Sequence, residues 1–91
     1  MKNRRHFDTY GLAAREAAQI EIAIAKFDRS AKLLDCDVVI EEQRTGISDP
    51  TQPGYSILAV TLAARRDNLR ATVGALEQRL AKLQAELPEM A

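Results

Sequence analysis

Apolar residues recur along this chain at alternating steps of three and four, in two runs of matching length. In the first run Tyr10, Ala17, Ile24, Ala31 and Val38 share one heptad position, while Ala13, Ile20, Phe27 and Leu34 share the other, with Glu41 as a polar exit. In the second run Tyr55, Leu62, Leu69, Leu76 and Leu83 alternate with Ala59, Arg66, Val73, Leu80 and Leu87. A seven-residue repeat held this long predicts coiled-coil helices rather than ordinary amphipathic ones. Each helix would span about 30–40 residues, giving a rod roughly 45–60 Å long at ~1.5 Å per residue.

The break between the runs reads Arg44-Thr45-Gly46-Ile47-Ser48-Asp49-Pro50-Thr51-Gln52-Pro53-Gly54-Tyr55. Proline is rejected by helix interiors, and glycine supplies the backbone freedom a reversal needs. The chain is therefore expected to be all-α. It should form a single antiparallel two-helix coiled-coil hairpin, with helices over about 8–45 and 55–87 and a loop over about 46–54. Asp8 is the candidate N-cap of the first helix, although Gly11 weakens its first turns. Thr45-Gly46 should end that helix, Asp49 or Thr51 should cap the second, and Pro88 should stop it.

Folding at the break sets a register in which facing positions sum to about 100. Ala13 then meets Leu87, Ala17 meets Leu83, Ile20 meets Leu80, Ile24 meets Leu76, Phe27 meets Val73, Ala31 meets Leu69 and Val38 meets Leu62. Alanine opposite leucine is the small-against-large alternation that close packing favours. The same register sets Asp28 against Arg70 and Asp37 against Arg65, and it puts Arg66 opposite Leu34 and beside Asp35.

Several apolar residues fall off this seam: Ile22, Leu33, Cys36, Val39, Ile40, Ile57 and Val60. Single surface apolars are common. Most of these, however, gather near the hairpin tip. Leu33, Cys36, Val39, Ile40, Ile57 and Val60 are thus candidates for a second contact surface, filled either by a twin hairpin in a four-helix dimer or by another protein.

Composition narrows the function. The chain has 91 residues, room for one domain, with 4% aromatic residues against 46% apolar. Its 13 basic and 13 acidic residues cancel, which argues against nucleic-acid binding by bulk charge. The basic start, Lys2, Arg4, Arg5 and His6, is the only local alternative, and His6 has no second histidine and no cysteine near it in the sequence with which to share a metal. No apolar run approaches a membrane span, no export signal is evident, and a single Cys36 makes no internal disulfide, so a cytoplasmic location is the default. Cys36 reads as a small residue buried at an apolar contact. Carboxylates such as Glu41-Glu42 and Asp35 with Asp37 lie on a rod that should lack a cleft. No phosphate loop, no nucleophile with a base and no metal spacing is present, so the chain reads as a non-enzyme without a cofactor.

Taken together, Ala18-Gln19-Ile20-Glu21, Ile24-Ala25-Lys26-Phe27-Asp28-Arg29, the tip Glu41-Glu42-Gln43-Arg44-Thr45-Gly46-Ile47-Ser48-Asp49-Pro50, and Tyr55 with Arg65-Arg66-Asp67-Asn68-Leu69-Arg70 resemble the FliJ-type flagellar export proteins of alphaproteobacteria. The tip and Arg-Arg-Asp-Asn-Leu are the most specific parts. The resemblance implies a cytoplasmic antiparallel coiled coil, stalk-like and chaperone-like, serving flagellar type III secretion. Its implied partners are the export ATPase and the membrane export gate, the latter being its only link to a membrane. Family members are usually longer in the second helix, which forms the stalk entering the ATPase ring. Contacts on the tip side are therefore the better match.

On this reading Arg44, Ile47, Asp49, Arg65, Arg66 and Asn68 are the candidate partner-binding residues. Their alternative roles are internal: loop reversal for the tip, and pairing across the hairpin for the arginines. A self-associating coiled-coil adaptor or regulator unrelated to export is the competing function.

Overall fold

The computed structural model describes the backbone of residues 2–86 and the side chains of residues 11–86. Two α-helices, α1 (Lys2–Thr45) and α2 (Ile57–Glu86), lie antiparallel and pack against each other. No strand occurs among the described residues. The molecule is a rod of 67 × 22 × 18 Å. It exceeds the expected length because α1 runs for 44 residues, and at ~1.5 Å each these account for the long axis. Asp8 is accordingly inside α1 and is not its cap. Nothing upstream of it breaks a helix, and the arginines there favour one. His6 likewise falls within the helical backbone. Leu87 and Pro88, with the contact and stop expected of them, lie outside the described residues.

The seam follows the heptads. Among the described apolar side chains, Ala17, Ile20, Ala31, Val38, Ala59 and Leu83 are buried. Ala17, Ile20 and Leu83 form a core cluster, with Ala13, Ile24, Leu76 and Leu80 packed around it. This is the register in which Ala17 meets Leu83 and Ile20 meets Leu80. The other seam residues, Phe27, Leu34, Leu62, Leu69 and Val73, are half-buried. Two helices can wall a residue on two sides only, so most of the large seam side chains stay half-buried, whereas Leu83 is 2% exposed.

Thr45 and Gly46 end α1 as expected. Gly46 sits at φ 75°, and its N–H donates to the Glu42 carbonyl at 2.9 Å, an αL cap whose backbone only glycine adopts cheaply. The start of α2 departs from expectation. Ser56, not Asp49 or Thr51, is the N-cap: its Oγ accepts from the Ala59 N–H at 3.2 Å and its carbonyl accepts from Val60 at 3.1 Å. Asp49 and Thr51 are occupied in the loop, where Asp49 Oδ1 accepts from both the N–H and the hydroxyl of Thr51. No helix among the described residues is long and apolar enough to cross a membrane.

Candidate functional site

The connection at the tip is built from turns. Asp49 accepts from the Gln52 N–H at 3.0 Å, and Gln52 accepts from the Tyr55 N–H at 3.2 Å. Each turn carries a proline in its second position, Pro50 and then Pro53, and proline presets that backbone angle. Gly54 fills the third position of the second turn at φ 87°, where a type II turn requires a left-handed residue. The Ile47 side chain lies against Gly54, so an added Cβ there would meet Ile47 Cδ1 at 3.3 Å.

Polar bonds lock this loop to both helices. Ser56 Oγ donates to Glu41 at 2.7 Å, and the Tyr55 hydroxyl donates to Glu42 at 2.7 Å. Arg44 forks onto both oxygens of Glu41, one contact being 3.0 Å. Glu41 was expected as a polar exit from the seam, yet it is buried, with 7% exposed. The Arg44 bonds first, then the Ser56 hydroxyl, hold its carboxyl down to about 2 despite the cost of desolvation. The same bonds push Arg44 upward, and the bond to Glu42 raises the Tyr55 phenol. Thr51, through its backbone N–H and then its hydroxyl, lowers Asp49.

Along the shaft, charges cross between helices on both sides of the seam. Arg66 reaches Asp35 at 2.7 Å and its own neighbour Asp67 at 3.1 Å, and Arg70 also reaches Asp35, at 3.5 Å. Arg66 lowers the Asp35 carboxyl most, through its hydrogen bond. The expected pairing of Asp28 with Arg70 is not formed. Asp28 bonds Lys32 one turn away on its own helix, a partner always within reach, and Arg70 takes Asp35 instead. On the opposite side Arg79 pairs with Glu16 at 3.1 Å. Asp37 and Arg65, expected to pair, make no ion pair among the described residues.

They line an open groove instead. Its walls are Ser30, Leu33, Leu34 and Asp37 on α1, and Arg65, Asn68, Leu69 and Thr72 on α2, around a volume of about 540 Å³. The sequence pointed to a rod with no cleft. The groove exists because Ser30 and Thr72, small side chains, flank the seam where longer ones would cover Leu34 and Leu69. Among the described residues no group of side chains is placed to hold a metal.

The candidate partner-binding set therefore divides. Arg44, Asp49 and Arg66 have partners within the chain, and Ile47 is half-buried on Gly54, whereas Arg65 and Asn68 stand on the groove wall. The candidate self-association set, Leu33, Cys36, Val39, Ile40, Ile57 and Val60, is exposed throughout. Cys36 is thus not the buried residue expected, since the outermost heptad position of α1 has no neighbouring helix to cover it. By heptad position Leu33 and Ile40 flank the groove, while Val39 and Val60 lie towards the Asp35–Arg66 side. Leu58, which the sequence reading missed, is 53% exposed and shares the heptad position of Arg65 on the groove side. Its signal was available, since it falls a heptad before Arg65.

No protein-family model matches this chain, and no curated protein or solved structure matches it at a significant level.

Proposed function

We propose that this chain is a non-enzymatic docking rod, a coiled-coil accessory protein of flagellar type III secretion that works by protein contact in the cytoplasm at the export gate and export ATPase. The observation that carries the reading is the construction of the tip. Reversal alone needs few residues. Here two proline turns, the Gly46 cap and the bonds from Ser56 to Glu41 and from Tyr55 to Glu42 hold one loop shape. A loop fixed before binding loses little entropy on contact, which suits a recognition surface. Ser48, Pro50, Thr51, Gln52 and Pro53 stay exposed on it. The choice of flagellar export over other assemblies comes from the resemblance of the tip and of Arg65-Arg66-Asp67-Asn68-Leu69.

The test is a pull-down with purified export ATPase and the soluble domain of the export gate as separate baits. Retention of the chain by the gate domain at micromolar protein, lost when residues 48–53 are replaced by a Gly/Ser loop of equal length, supports the reading. Absence of retention by either bait overturns the export assignment.

A further inference from the structure

The groove side of the rod carries apolar surface that the hairpin cannot cover. Leu33 is 62% exposed, Ile40 61% and Leu58 53%, and all of them fall on the groove side of their helices by heptad position. With half-buried Leu69 they make one stripe running towards the tip. A two-helix rod of this size has few buried side chains to stabilise it alone, and covering such a stripe is the usual remedy.

Charge decides what covers it. Asp37 and Arg65 stand at one level on opposite walls, and neither has an ion-pair partner among the described residues. Two acid–base pairs do cross between the helices, Glu16 with Arg79 and Asp35 with Arg66. We propose that a second copy of this chain packs groove to groove about a twofold axis parallel to the rod, with the tips at the same end. That axis lays α1 of each copy over α2 of the other and keeps equal heights together. Asp37 of each copy then meets Arg65 of its partner, twice by symmetry, and the apolar stripes close on each other. A twofold axis across the rod would lay α1 over α1 and leave these charges without opposites. This pairing uses the side of the rod and leaves the tip free, so it stands or falls separately from the export reading.

The charges provide the test. Wild-type protein should sediment at twice the 10.1 kDa chain mass. Asp37→Arg and Arg65→Asp, each alone, place like charges together twice and should weaken the dimer about tenfold or more. Both side chains are exposed, so helicity by circular dichroism should be unchanged. An equimolar mixture of the two variants should regain the dimer as a heterodimer, since each supplies the other's opposite charges. A wild-type monomer at every concentration overturns the proposal and leaves the groove to a foreign partner. Single variants that dimerise like wild type, or a mixture that stays monomeric, overturn it as well.

Discussion

Ser56 joins the two helices through one hydroxyl: its Oγ accepts from the Ala59 N–H that opens α2 and donates to the buried carboxylate of Glu41 on α1. One side chain thus caps a helix and closes the hairpin. Ser56→Ala should lower stability by about 1 kcal/mol from the lost cap alone. Thermal unfolding followed by circular dichroism reads it, and an unchanged midpoint would mean that another residue caps α2.

Glu41 makes the tip sensitive to acid. Its carboxyl is held at about 2, below its ordinary 4.5, so the folded state favours the charged form. That stabilisation is complete above pH 4.5 and is lost as the pH falls towards 2. Urea midpoints should therefore drop across that window. In Glu41→Gln the drop should be smaller, the remainder coming from Asp35 and Asp49, whose carboxyls are also lowered.

Glycines at two kinds of position should respond in opposite directions. Gly74 lies inside α2 with nothing within 4 Å of an added Cβ, so Gly74→Ala should stabilise by about 0.5–1 kcal/mol. Gly46 needs φ 75°, and Gly46→Ala should destabilise by about 1 kcal/mol or more. Chemical denaturation of both variants checks the pair.

Seam leucines should differ according to their cover. Leu83 is 2% exposed, and Leu83→Ala should cost about 2–5 kcal/mol in a packed site. Leu69 is half-buried at the groove, so Leu69→Ala should cost the isolated rod about half as much. Equal losses at dilutions where only monomer exists would mean that Leu69 is enclosed.

The seam was legible because heptad spacing reports which residues face a partner helix, and pairing Ala17 with Leu83 follows from one turn position and the run lengths. The end of α1 was legible for a similar reason, since Gly46 is a local signal. Choices among near-equal local candidates were not. Ser56, Asp49 and Thr51 can each cap a helix, and the two proline turns, which consume Asp49 and Thr51, decide in favour of Ser56. Spacing puts Glu41 at a seam position, but the Arg44 and Ser56 bonds that let a carboxylate stay buried there are announced by no spacing in the sequence. Likewise the groove arises from two small flanking residues, Ser30 and Thr72, on different helices. It becomes visible only once the register brings them to one level.

Docking of the tip on the export apparatus is the activity proposed for this rod. Titration of the labelled chain with the soluble domain of the export gate, followed by fluorescence anisotropy, tests it most directly. Saturable binding in the micromolar range is expected, abolished when residues 48–53 become a Gly/Ser loop and retained in Asp37→Arg. No saturable binding, or binding unaffected by replacing the tip, would contradict it.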